Sequence, residues 1–181
     1  MVKISSKAKQ LITLLNQSGY EAYLVGGCVR DLIMGEEPHD WDICTQAKPD
    51  EIIKVLKHNK IKFNTVGIEF GTVVAMMDNS EFEITTFRKE TGYSDGRHPD
   101  KVEYADAIEE DLARRDFTIN AIAMTTDCKD CESGIKLIDP YGGVSDIQNK
   151  RLRCVGNAVD RFNEDSLRIL RALRFSIKYD L

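Results

Sequence analysis

No stretch of this chain approaches the roughly 20 consecutive apolar residues that a membrane-spanning helix needs. Met1-Val2-Lys3-Ile4 leads into a polar, amphipathic segment and not into the apolar core of a signal peptide, so the expected location is the cytosol. Positive charge is also in short supply: 30 acidic residues stand against 25 basic ones, a formal net charge of −5. The field of the whole molecule would repel nucleic acid, so an RNA partner would have to be held by a local basic patch or by parts beyond this chain. The three histidines, His39, His58 and His98, are scattered and make no ligand cluster. The five cysteines are an odd number. Cys28, Cys44 and Cys154 sit in apolar patterns that suit reduced core thiols, and Cys128-x-x-Cys131 lacks the two further ligands of a zinc site and reads as an exposed hairpin tip.

What is present fits one catalytic domain with a small helical appendage, since 181 residues at 42% hydrophobic content can bury one good core but not two. Ala8, Leu11, Ile12, Leu14 and Leu15 recur at helical spacing until Gly19, which predicts a helix over 5–18. A strand over 21–25, a short helix ended by Gly35, a strand over 40–45 and a helix opened by Pro49-Asp50-Glu51 follow. Three strands, 62–66, 72–77 and 81–87, are separated by turn residues. Residues 89–101 are polar and glycine-containing and read as a long mobile loop at a site rim. A helix or tight turn over 111–120, short strands over 121–125 and 136–138, a turn at Gly142-Gly143 and a last strand over 151–155 complete the head. Everything after Asn163 reads as one helix.

The chemistry concentrates in a few segments. Leu24-Val25-Gly26-Gly27-Cys28-Val29-Arg30-Asp31 places a glycine pair at a strand-to-helix turn, where backbone amides can approach a phosphate. Asp40-Trp41-Asp42 follows. In a strand, Asp40 and Asp42 point together while Trp41 and Ile43 turn to the core, so the two carboxylates can share divalent metal ions. A bare D-x-D is common on solvated edge strands; the glycine turn upstream tips the reading toward a metal pair. Glu83, on a face with Glu81 and Thr85, is the candidate third carboxylate, although that face also suits plain solvent exposure.

Adjacent Arg114 and Arg115 suit triphosphate and ribose contacts, and Asp116 can accept from a ribose 2′-OH. A helix-end salt bridge to Asp111 explains the arginines equally well. In the last segment Asn163 is the expected cap. With Asp165 at zero and about 100° per residue, Arg168, Arg171 and Arg174 fall between about 180° and 300°, and Ile169, Leu170 and Leu173 between about 40° and 140°. The apolar face is expected to pack and the arginines to be presented. Asp165 accepts where Arg168 donates, which matches a base edge offering an amino group beside an unprotonated ring nitrogen. Cytosine and adenine have that edge; guanine and uracil do not.

Taken together these segments, with Asp139-Pro140-Tyr141-Gly142-Gly143 and the run from Arg161 to Arg174-Phe175, resemble the class II tRNA nucleotidyltransferases (CCA-adding enzymes) and their bacterial poly(A) polymerase relatives in the polymerase-β superfamily. The resemblance covers essentially residues 11–175. It implies an α+β fold: a polymerase-β-like nucleotidyltransferase head with a mixed sheet backed by helices (1–155), plus the start of a helical neck (156–181). It further implies that Gly27 and Arg30 contact the triphosphate, that Asp40 and Asp42 bind Mg2+ and are catalytic, that Arg115 and Asp116 hold the nucleotide, and that Asp165, Arg168, Arg171 and Arg174 form the nucleotide-selecting helix. The implied partners are CTP, ATP and the tRNA 3′ end, gripped weakly without the body and tail helices of the family. An intact segment at 93–99 leans toward full CCA addition in this family. Poly(A) or partial CC- or A-addition is the neighbouring reading, and a catalytically idle nucleotide- or RNA-binding module is the reading of a different class. Residues 126–134 look like a local insertion.

Overall fold

In the computed structural model the first helix, α1 (Ser6–Gln17), begins where the sequence supplies a cap, the Ser5 hydroxyl accepting from the Ala8 N–H at 3.4 Å. The described residues are 3–78, 80–97, 99–128, 131 and 134–181; Asn79 of the expected turn, His98 of the polar loop, and Lys129 and Asp130 of the cysteine segment lie outside them. Strand β1 (Ala22–Val25) leads through Gly26 into α2 (Gly27–Met34), and β2 (Asp42–Thr45) leads into α3 (Pro49–His58). Strands β3 (Lys62–Asn64), β4 (Thr72–Met77) and β5 (Ser80–Thr86) follow. With β8 (Ala123–Met124) and β9 (Leu137–Ile138) they form a seven-stranded sheet in the order β3-β4-β5-β2-β1-β8-β9. The β2–β5 pair is parallel and its neighbours are antiparallel, so the sheet is mixed as expected.

Period-two alternation decides what each face of the sheet meets. Ile43, Val73, Ala75, Phe82 and Ile84 point to one side and bury against Leu11, Ile12 and Leu15 of α1 and Ile52 and Leu56 of α3. Each fully buried Val, Leu, Ile or Phe among these stabilises the fold by about 1.5–3 kcal/mol. On the opposite face Val25 and Cys44 pack with Ile108 and Leu112 of α4 (Ile108–Ala113). Asp42, two residues before Cys44, therefore stands on the α4 side, away from the main core.

Several expectations need correction. Residues 89–101 are not one long loop: β6 (Arg88–Thr91) pairs with β7 (Lys101–Tyr104) in a separate hairpin, leaving a shorter connection at 92–100. Its strands carry charge at most positions, with Lys89 paired to Glu110 of the helix that follows and Lys101 to Glu103 along β7, so they lack the apolar alternation that marks a strand. The 151–155 strand is reduced to a bridge between Phe117 and Cys154. Cys128 and Cys131, in the connection between β8 and β9, are joined as a disulfide, while Cys28, Cys44 and Cys154 are buried free thiols.

The final segment is two helices. After α5 (Gly143–Gln148), α6 (Ala158–Glu164) is capped by Asn157, and Asn163 lies inside it. The chain is extended at Asp165, whose carboxylate accepts from the Leu167 N–H at 2.9 Å, and α7 (Leu167–Tyr179) starts beyond it. A side-chain acceptor competing for that amide explains the break. The packing face of α7 is also the reverse of the expected one. Arg168, Phe175 and Tyr179 are buried, whereas Ile169, Leu170, Leu173 and Ile177 are exposed, Ile177 at 83%. Phe175 and Tyr179 lie at about 280° and 320° on the same wheel, beside the arginines, and these two rings join Phe117 and Ile119 in an aromatic cluster that seats α7 on the head. No helix among the described residues is long and apolar enough to cross a membrane.

Candidate nucleotide site

A single cleft of about 710 Å³ lies between the glycine turn, the start of β2, the end of α4 and the arginine face of α7. Gly27, Arg30, Asp40, Asp42, Arg115, Asp116, Asp165, Arg168, Arg171 and Arg174 all line it. These ten residues, singled out from sequence, are thus brought to one place over more than 130 residues of chain, while Glu83 lies outside the cleft lining. Their individual engagements are more specific than the sequence could say.

The glycine turn is built for close approach. Gly26 has φ +70°, and a Cβ there would fall 2.8 Å from Arg115 Nη1 and 3.8 Å from Asp42 Oδ2. Only glycine lets the backbone, the guanidinium and the carboxylate crowd together in this way. Gly27 then opens α2, whose first amide groups have no partner inside the helix and face the cleft wall formed by Gly26, Gly27 and Cys28.

Asp40 precedes β2 instead of lying within it, and it is exposed, while Asp42 opens the strand half-buried. Trp41 and Ile43 pack against the main core, as alternation requires. Burial pushes the Asp42 carboxyl up to about 6, and the neighbouring carboxylates Glu83 and Asp40 push the same way against Arg115. Glu83 is the parallel cross-strand partner of Asp42. Among the described residues no three His, Cys, Asp or Glu side chains converge as a ready ligand group, so Glu83 is a neighbour of the pair and not a preformed third ligand. The donor set of Asp40 and Asp42 fits a hard divalent cation that keeps positions for water and substrate oxygen. Carboxylate crowding at Asp42 is the strain such a cation would relieve.

The arginines are tied down. Arg115 Nη2 and Arg114 Nη2 lie 3.0 and 2.8 Å from the two oxygens of Asp111, which is fully buried. The salt bridge expected from sequence is present, and the arginines line the cleft nonetheless. Arg30 donates to Asp31, to Asn120 Oδ1 at 2.7 Å and to the Tyr179 hydroxyl, and its guanidinium lies 4.4 Å from the Tyr179 ring centroid. It therefore locks α2 to α7. Asp116 Oδ1 accepts from the Phe117 N–H, and its Oδ2 accepts from Arg171 Nε at 2.7 Å. Arg168 Nη1 donates to Glu164 at 2.7 Å, and its guanidinium lies 5.8 Å from the Tyr93 ring centroid. Arg174 is exposed on the cleft rim.

Sequence reading passed over Glu90, Asn120, Phe175, Lys178 and Tyr179, which also line the cleft. Glu90 binds Arg88 and Arg114, each at 2.9 Å, and accepts from the Tyr93 hydroxyl at 2.9 Å. The hairpin tip also meets the α6–α7 break directly, Ser166 N–H donating to the Gly96 carbonyl at 3.3 Å. The signal for Phe175 and Tyr179 was available in the helical wheel. For Glu90 there was none, because its hairpin carried no pattern.

A mixed sheet with one carboxylate at the start of β2 and another just before it, opposite a glycine turn and with a cationic helix closing the cleft, defines a nucleotidyltransferase-type head. The chain belongs to the family described as the poly A polymerase head domain, which it matches over residues 22–153. Among curated relatives, it is 45% identical over 177 residues to a CCA-adding enzyme of Limosilactobacillus reuteri, covering 98% of this chain and 41% of that protein. It is 47% identical over 170 residues to one of Oceanobacillus iheyensis, covering 94% and 40%. Among solved structures, the Bacillus stearothermophilus CCA-adding enzyme in complex with CTP superposes with a TM-score of 0.79 at 40% identity, over 93% of this chain and 38% of that one. A tRNA nucleotidyltransferase complexed with a primer tRNA and an incoming ATP analog gives 0.72 at 35% identity, over 92% and 44%. The chain spans about two-fifths of the length of these curated relatives.

Proposed function

We propose that this chain is the catalytic head and first neck helices of a template-independent RNA nucleotidyltransferase. It adds C and A from CTP and ATP to the 3′ end of tRNA, releases pyrophosphate and uses Mg2+ held by Asp40 and Asp42. The head ends near residue 155 and the neck begins at 156. The observation that carries the reading is the convergence of ten residues with complementary chemistry in one cleft. The names of the relatives, CCA-adding enzymes, support the substrate class, and we infer a cytoplasmic location from it.

In this reading the primer 3′-hydroxyl attacks the α-phosphate, the new P–O bond forms, and the bond to pyrophosphate breaks. When bound, a divalent cation at Asp40 and Asp42 supplies charge neutralisation for the attacking and leaving oxygens. The N-terminal amides of α2 and the guanidinium of Arg115 bind the triphosphate. Asp116 and Arg171 hold the sugar end of the cleft. Asp165 and Arg168 read the base edge, provided Arg168 turns from Glu164 toward the base.

The test is product analysis with tRNA lacking its 3′ CCA, CTP, ATP and Mg2+. A defined CCA end supports the reading. Long A tracts on unstructured RNA would make the chain a poly(A) polymerase, and CTP binding without any incorporation would make it an idle nucleotide-binding module.

A further inference from the structure

Asp111 does not line the cleft, yet it is the buried centre of the cationic wall. Its Oδ2 accepts from Arg115 Nε at 3.3 Å and Nη2 at 3.0 Å, and its Oδ1 accepts from Arg114 Nε at 3.0 Å and Nη2 at 2.8 Å. The three residues share one face at the end of α4, at spacings of three and four. Oδ1 also accepts from the Arg88 N–H at 3.4 Å, and the Cys44 thiol lies 3.6 Å from Oδ2, which fixes the carboxylate from the β2 and β6 sides as well. With Nε and Nη2 occupied, Arg115 turns Nη1 toward the glycine turn, where it reaches the Asn120 carbonyl at 3.4 Å and stands 2.8 Å from the position a Cβ of Gly26 would take. Two adjacent guanidinium groups repel one another; a buried carboxylate that gives one oxygen to each separates their directions.

We propose that Asp111 is a positioning residue for nucleotide binding: it aims Arg115 Nη1 into the space between the glycine turn and Asp42, and so orients the wall that meets the triphosphate. This inference rests on the proposed nucleotide site. It assigns Asp111 no contact with substrate. Burial works against ionising the Asp111 carboxyl, but Arg115 and Arg114 outweigh it and hold the group below its ordinary range, so the carboxylate stays charged.

The experiment is a double-mutant cycle of Asp111→Asn with Arg115→Met in the 181-residue chain, reading the affinities for CTP and for cytidine by equilibrium dialysis. Asp111→Asn is expected to weaken CTP binding by about tenfold or more and to leave cytidine within about threefold. In the Arg115→Met background the same substitution should cause no further loss for CTP. Parallel loss of both ligands would reduce Asp111 to a structural role, and multiplying losses would show that it does not act through Arg115; either overturns the proposal. Should Asp111→Asn fail to fold, the cycle is run with Asp111→Glu, which keeps the charge but moves the carboxylate by one methylene relative to Arg115, with the same outcomes. Absence of CTP binding by the unsubstituted chain would instead bring down the nucleotide site itself.

Discussion

Arg171 of α7 reaches back 55 residues to Asp116, its Nη2 lying 2.6 Å from Oδ2, and this ion pair ties α7 to the segment that follows α4, both residues lining the cleft. The two partners contribute unequally. Asp116 is nearly buried and also accepts from the Phe117 N–H, while about half of the Arg171 side chain is exposed. Arg171→Met should therefore lower stability by only about 1 kcal/mol or less. Asp116→Ala leaves a buried amide and an arginine without their acceptor and should lower it by about 2–3 kcal/mol. Urea denaturation of the two variants checks the order.

Asp42 gives the metal-free chain a definite pH response. Its folded carboxyl titrates near 6, above the ordinary value of 3.8, because burial, Glu83 and Asp40 disfavour the charge. Between those values the folded state binds more protons than the unfolded one, so this group's contribution is fully present below about pH 4 and is lost as pH rises through 6, by at most about 1.4 kcal/mol per pH unit. Asp42→Asn should remove that slope and raise the melting temperature of the metal-free chain at pH 7 relative to the unsubstituted one. Thermal melts from pH 4 to 8 in the presence of a chelator read this directly.

Chemistry that depends on residue type and spacing was legible in the sequence. Gly26-Gly27 could be placed because a strand-turn-helix leaves few arrangements for it; Asp42 opens the expected strand while Asp40 falls just before it, and all four residues lie in the cleft. The face of α7 was misjudged for a physical reason. Leu170 and Leu173 are more apolar than an arginine row, but the surface beneath α7 offers Phe117 and Asp116 and α6 offers Glu164, so Phe175, Tyr179 and the guanidinium stems pack there instead. The β6–β7 hairpin was illegible because charged residues hold most of its strand positions, Lys89 facing Glu103 across the pair, which leaves no hydrophobic period.

Tyr93 links the hairpin to α7 through the Glu90 carboxylate and the Arg168 guanidinium. Tyr93→Phe keeps the ring and should leave CTP affinity within about twofold, whereas Tyr93→Ala removes the stacking surface and should weaken it by about two- to fivefold. Competition binding with CTP and ATP measures both.

Gly26→Ala adds a methyl at φ +70° into the position beside Arg115 Nη1. The strained backbone should lower stability by about 1–2 kcal/mol, and displacement of the guanidinium should weaken CTP binding more than cytidine binding. Gly35→Ala, which also has positive φ but open space around its Cβ, should show the strain without the ligand effect.

The most direct test is single-turnover incorporation of labelled CTP into tRNA lacking its 3′ CCA, comparing the unsubstituted chain with Asp42→Asn at saturating Mg2+ and nucleotide. The account expects incorporation by the unsubstituted chain and a loss of about a thousandfold or more in Asp42→Asn, with metal-free CTP affinity little changed. Incorporation by Asp42→Asn within about tenfold of the unsubstituted rate would contradict it.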